Sequence, residues 1–263
     1  MIYYNNYGGI TMKQYIQLLK MGCFTREDVA KITGNIRTAD SVLYSYKKKG
    51  VIVSIRRNLY AVISLETNQP VCTPYQIASS ISPDSYVSHH SAFEYHGMAN
   101  QVFSRIYVSS STKFNDFEFD GKHYTRVLSK TNEGIKKIGK IRVTDIERTI
   151  VDSIKDFTKI GGLEELLRCL LMVTYASENK LIKYLNIYDN QFLWQKTGYI
   201  LSYYPNMKLS ENFFETCKIN SKKSMRYLYK ELKYENPVFS NEWGLYIPND
   251  IMRLLDEGGE SLV

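Results

Sequence analysis

Cysteine is scarce in this chain of 263 residues, and the placement of its four copies excludes two classes of protein. Cys23, Cys72, Cys169 and Cys217 are far apart in sequence and form no C-x-x-C pair, which argues against a zinc ribbon and against a disulfide framework. Reduced core thiols are expected. Long apolar runs are missing as well. The nearest, Leu163 to Ala176, is interrupted by Glu164, Glu165, Arg168 and Thr174, short of the roughly 20 residues that a membrane helix needs. The opening segment lacks a basic stretch followed by an apolar one, so no signal peptide is expected and the protein is expected in the cytoplasm. No G-x-S-x-G elbow and no G-x-x-x-x-G-K phosphate loop occurs. What remains is a globular composition, 44% hydrophobic and 23% charged, long enough for two domains with cores of their own.

The segment from Thr25 to Val62 is the most informative. Thr25-x-x-Asp28 offers a capping hydroxyl and a first-turn acid, so a helix is expected to start there. Val29, Ala30 and Ile32 form its apolar face before Gly34-Asn35 interrupts the period, as between the two helices of a helix-turn-helix. In the next helix Ala39, Val42, Leu43 and Tyr46 recur at three- and four-residue steps and are expected to face the core. That leaves Arg37, Ser41, Tyr44, Ser45, Lys47 and Lys48 outside, the donors that base edges and phosphates require. A solvated helix face would look the same. After Gly50, two β-prone runs, Val51–Val53 and Leu59–Val62, flank Ser54–Asn58, predicting a β-wing tipped by Arg56 and Arg57.

Charge favours the nucleic-acid reading. Residues 1–70 hold ten Lys or Arg against four Asp or Glu, a net of +6 in a chain whose total is +7. Residues 71–263 are close to neutral, and within them Lys222, Lys223 and Arg226 form a late basic group that could meet an acidic partner or RNA, or simply begin a solvated helix.

Ser64–Pro70 carries no hydrophobic period and is expected to be a linker, giving domains over residues 1–66 and 71–263. Beyond it, Thr73-Pro74 predicts a capped helix, residues 88–96 a helix ended by Gly97, residues 105–108 a strand, and Asp120-Gly121 a tight hairpin between residues 117–119 and 122–127. Thr144 to Glu147 reads as a capping box, and from Gly161 the chain turns mainly helical. The expected fold class is α+β, an N-terminal winged helix-turn-helix followed by a larger mixed α/β domain with a helical half.

Enzyme readings are weaker. His89 with His96, or His90 with Glu94, would share a helix face, but diagnostic metal spacing is missing, so no metal and no cofactor are expected. Asp116, Glu118, Asp120 and Lys122 resemble the carboxylate-x-lysine of a metal-dependent nuclease, yet Asp120 falls in a turn. Asp145, Glu147, Arg148 and Asp152 read as a cap and surface ion pairs. No enzyme is expected.

Four stretches together resemble the AbiEi antitoxins of bacterial abortive-infection, type IV toxin–antitoxin systems: the wing Arg56-Arg57-Asn58-Leu59-Tyr60-Ala61, the block from Ser88 to Gly97, Val143 to Asp152, and Leu193 to Tyr199. The chain has Asn58 where many members have glycine. The resemblance implies a DNA-binding autorepressor that recognises inverted repeats in its own promoter and a C-terminal domain that counteracts a nucleotidyltransferase-like toxin. The alternative is an antitoxin acting by protein contact, whose winged helix does not read DNA.

Overall fold

The computed structural model describes residues 12–221 and 224–256, and the chain is mixed α+β. Contacts divide it into two compact units. The first comprises the chain through Val87 together with Ser104–Ser129 and Lys137–Arg142; the second comprises Ser88–Phe103, Lys130–Lys136 and the chain from Val143 onward. The division does not fall at the linker expected near residues 66–71, because that segment folds back on itself. Ser64 N donates to Gln69 O, Ile63 bridges Pro70, and Val71 N returns to Val62 O. With its backbone groups paired, the segment is a closed turn, and it carries the chain onward within the first unit.

The first unit opens with α1 (Met12–Met21), β1 (Cys23–Phe24), α2 (Arg26–Thr33), α3 (Ile36–Lys48), β2 (Ile52–Arg56) and β3 (Leu59–Val62). Thr25 caps α2 in a full capping box, its side chain accepting from Asp28 N while Asp28 accepts from Thr25 N. Gly34 ends α2 at φ 74°, a left-handed position that glycine reaches without a Cβ clash. Asn35 then caps α3, Oδ1 accepting from Arg37 N at 2.7 Å. The three strands form an antiparallel sheet in the order β1-β3-β2. Leu18, Phe24, Val29, Ala39, Leu43, Tyr46, Ile52 and Val62 fill the space between helices and sheet. Each fully buried aliphatic or aromatic side chain contributes about 1.5–3 kcal/mol. Val42, expected in this core, lies only at its margin.

Downstream come α4 (Pro74–Ser80), β4 (Tyr86–Val87), α5 (His89–Tyr95), β5 (Arg105–Ser110), β6 (Phe117–Phe119), β7 (Lys122–Leu128), β8 (Ile135–Ile138) and β9 (Ile141–Thr144). Six strands form one sheet in the order β6-β7-β5-β4-β9-β8, with β5 and β7 parallel and β6–β7 the expected hairpin. Asp120 and Gly121 take φ 52° and 69° at its turn.

The helical part of the second unit is α6 (Ile146–Lys155), α7 (Leu163–Leu171), α8 (Glu178–Tyr188), α9 (Gln191–Leu201) and α10 (Glu211–Asn220). It closes with β10 (Arg226–Tyr227), β11 (Val238–Ser240), β12 (Leu245–Ile247) and α11 (Arg253–Asp256). One core unites these elements around Ile150, Leu166, Leu185, Trp194, Phe213 and Trp243. Trp243 packs so tightly on α9 that a Cβ at Gly198 would lie 2.2 Å from its ring, which is why Gly198 is glycine in mid-helix. The expected capping box at Thr144 is corrected. Thr144 ends β9, and Asp145 caps α6, its Oδ1 accepting from Arg148 N at 2.9 Å. Glu147 does not reach back. Its carboxylate accepts from Ser177 N and from Lys180 Nζ instead.

Candidate functional site

The Asn35 cap and the buried face of Ala39, Leu43 and Tyr46 fix the rotation of α3. The rotation brings Arg37, Ser41, Tyr44, Lys47 and Lys48 to the outside, and Ser45 sits half-buried beside them. Tyr44 is 71% exposed, a large phenol held out in solvent at the middle of the helix. Ser41 Oγ donates to Arg37 O at 3.3 Å, so that hydroxyl stays along the helix. At the start of α2, Arg26 pairs with Asp40 of α3 through two hydrogen bonds, cross-bracing the two helices. The expected set is therefore brought together on one face, with a single acid, Asp40, already engaged by Arg26.

The β2–β3 hairpin departs from the expected wing at Arg56. Register shifts between Ser54 and Arg56, Ile55 turns into the core, and the Arg56 guanidinium lies over the rings of Phe114 and Phe117 at 5.3 and 5.1 Å. Desolvation there lowers its pKa, and its buried Nη1 has no hydrogen-bond partner. Arg56 is thus a half-buried packing residue and not a tip cation; the phenylalanines replace the phosphate it was expected to meet. Arg57 remains exposed beside Asn58, whose φ of 60° makes the turn. Asn58 also explains the departure from glycine. Its Oδ1 accepts from Arg26 N at 3.0 Å and its Nδ2 donates to Glu27 Oε2 at 2.8 Å, so the side chain ties the β2–β3 turn to the first turn of α2. Glycine could make the turn but not the tie.

Two further cations were not singled out from the sequence. Lys137, near the end of β8, and Lys140, in the turn before β9, are exposed and line an open cleft of about 540 Å³ with Met21, Asp28, Gln76 and Arg142. The signal was legible: residues 134–143 contain four Lys or Arg and no acid. An adjoining cleft of about 520 Å³ takes in Arg57, Asn58 and Glu27 and shares Cys23, Asp28, Ser80 and Arg142 with the first. Arg142 is structural, its guanidinium donating to the carbonyls of Ser79, Ser82 and Pro83. By unit, the first holds 17 of the 34 Lys and Arg but 8 of the 27 Asp and Glu, leaving 17 and 19 for the second. Spatial segregation of charge thus exceeds what the linear split at residue 70 suggested.

The other expected residues separate. Lys222 and Lys223 lie outside the described residues. Arg226 is half-buried, its guanidinium over Phe192 at 5.3 Å and its Nε donating to Ser224 Oγ at 2.9 Å. His96 bonds Thr144 O through Nε2 at 2.8 Å, and Glu94 accepts from Phe103 N. His89 is fully buried with its pKa pushed down to about 4 by desolvation. Asp116 accepts from Arg126 N, Glu118 pairs with His123 and Asp120 makes the turn, so the nuclease-like acids serve separate tasks.

Two buried networks belong to the second unit. His90, Glu165 and Cys169 are the described residues whose donor atoms could hold a metal. Their geometry is that of hydrogen bonds: His90 Nε2, Cys169 Sγ, Asn100 N and Gln101 N all converge on Glu165 Oε1 at 3.2 to 3.4 Å. Arg148, expected on the surface, is 1% exposed. Its guanidinium donates to Asp152, to Glu133 O and to Tyr188 Oη, and Tyr184 Oη donates to Asp145. Sequence spacing of four between Arg148 and Asp152 fits a surface pair equally well, and only packing by α8 decides that it is buried.

Neither a family model nor a curated protein matches this chain. Among solved structures it is similar to the crystal structure of the RV2827C protein from Mycobacterium tuberculosis, with a TM-score of 0.64 over 94% of this chain and 93% of that one. At 14% identity the likeness is one of fold.

Proposed function

We propose that the first unit contains a winged helix-turn-helix that binds duplex DNA, and that the protein is an antitoxin and autorepressor of the AbiEi type. On this reading it recognises inverted repeats in its own promoter and counteracts a nucleotidyltransferase-like toxin without being an enzyme itself. The carrying observation is the outer face of α3, where Arg37, Ser41, Tyr44, Lys47 and Lys48 stand exposed in a unit with 17 basic and 8 acidic residues. A helix fixed in this way presents side chains to base edges, and a basic surface around it supplies the phosphate contacts. Arg57, Lys137 and Lys140 extend the cationic set beyond α3; Arg56 supports the wing from beneath.

Fluorescence anisotropy of the full chain with a labelled duplex from upstream of its gene tests this. Tight binding to that duplex over a scrambled one, with affinity falling steeply as salt rises, is the expected result. Equal, weak binding to both would favour the second reading, an antitoxin that acts by protein contact and whose winged helix does not read DNA. The exposed Tyr44 and the withdrawal of Arg56 from the tip are what favour that alternative. Aromatic residues are enriched at protein interfaces.

A further inference from the structure

Cys23 and Cys72 are remote in sequence and adjacent in the fold. β1 pairs with β3, Cys23 opposite Ala61, and the chain returns from β3 through the closed turn that ends at Val71. Cys72 is thereby laid against the start of β1. A Cβ built on Gly22 would sit 3.5 Å from the Cβ of Cys72, and the two thiols lie within interaction range of one another. Both cysteines are free and buried, and Cys23 lines both open clefts, so the pair lies at their edge. Cys169 and Cys217 have no such arrangement. Cys169 donates to Glu165, and burial pushes the Cys217 thiol up to about 12.

We propose that Cys23 and Cys72 are a redox site, a dithiol that hydroperoxides convert into a disulfide closing around residues 24–71. That loop holds every α3 and wing residue named above, although the inference does not depend on their binding DNA. The chemistry balances with one equivalent of hydrogen peroxide. The Cys72 sulfur attacks one peroxide oxygen, the O–O bond breaks, and the products are a sulfenic acid and, after proton transfer, water. The Cys23 sulfur, losing its proton, then attacks the sulfenic sulfur; the S–O bond breaks and a second water leaves. Two thiols are oxidised by two electrons and one peroxide is reduced to two waters. Contact with Cys23 lowers the pKa of Cys72, favouring its thiolate as first nucleophile, whereas contact with Cys72 and burial raise that of Cys23, which keeps its proton until it attacks. A dithiol reductant reverses the bond by exchange.

The test uses the full chain, reduced and then exposed to a small excess of hydrogen peroxide. Expected are a mass loss of about 2 Da, two of four thiols still alkylated in denaturant, a peptide linking Cys23 to Cys72, and full reversal by dithiothreitol. The oxidised form should melt on the order of 10 °C higher, because the bond constrains a long loop in the unfolded chain. Cys72→Ser should abolish the mass loss. Since wild-type thiol counting needs no variant, a poorly folding mutant does not obscure the result. Four intact thiols after treatment, mass gains of about 16 Da without a cross-link, or pairing through Cys169 or Cys217 would each overturn the proposal.

Discussion

The two units carry equal numbers of basic residues, but among the described residues only the second seals any of them away from water. In the first, the cations of α3, Arg57 at the β2–β3 turn, Lys137 of β8 and Lys140 after it are exposed, and acids are too few to neutralise them. In the second, Arg148 is sealed among Asp152, Glu133 O and Tyr188, and Lys196 is buried with its ammonium over Phe157 at 4.3 Å and donating to Lys155 O. Desolvation brings the Lys196 pKa down to about 8. A cation in water with no partner is available to a polyanion, whereas a buried one is committed to the fold. Counting Lys and Arg therefore says little until exposure is known.

Breaking the buried side should have the largest effect. Arg148→Met leaves Asp152 uncompensated inside the second unit and should cost about 3–5 kcal/mol. Both tryptophans of the chain, Trp194 and Trp243, lie in that unit, so tryptophan fluorescence during urea unfolding reads the loss. A cost below about 1 kcal/mol would mean that the network is dispensable. On the exposed side, if the protein binds DNA as proposed, Arg37→Ala should weaken binding to the promoter duplex by about 1–3 kcal/mol while the urea midpoint stays put. Loss of stability with unchanged affinity would reverse the contrast.

Acid should act on the second unit through His89. Its folded-state pKa is depressed to about 4 from 6.5 by desolvation, so between those values the unfolded chain takes up the proton first. Stability should fall by about 1–2 kcal/mol as pH drops from about 6.5 to about 5. His89→Asn, which tolerates the φ of 53° there, should flatten that slope in a pH series of urea melts. A slope that survives the substitution assigns the effect elsewhere. The smallest effect separates the two wing arginines. Arg57→Ala should reduce the slope of log affinity against log salt by about 1, and Arg56→Ala should leave the slope alone while lowering stability by about 0.5–2 kcal/mol. The opposite pattern would restore Arg56 to the tip.

Local signals are decisive wherever a backbone requirement has one chemical answer. Thr25 with Asp28, Thr73 before Pro74, Gly34 and Asp120-Gly121 each take the cap or turn their side chains favour. Such signals fail to decide where two local answers are equally good. Thr144 and Asp145 are both capping residues one position apart, and the strand pairing of β9 selected the second. The Arg148–Asp152 spacing is common to surface and buried helix pairs, and Arg56 differs from Arg57 only by a register shift within β2.

By itself the sequence determined the capped helices, the outward face of α3, the hairpin turns and the excess of positive charge, since each rests on residues within a few positions of one another. Tertiary structure alone decided that Arg56 packs on Phe114 and Phe117, that Lys137 and Lys140 join the basic unit, that Glu165 gathers His90 and Cys169, and that Cys23 meets Cys72. Those are contacts between residues tens of positions apart, fixed by strand register and core packing, and no local propensity encodes which distant side chain will fill a given space.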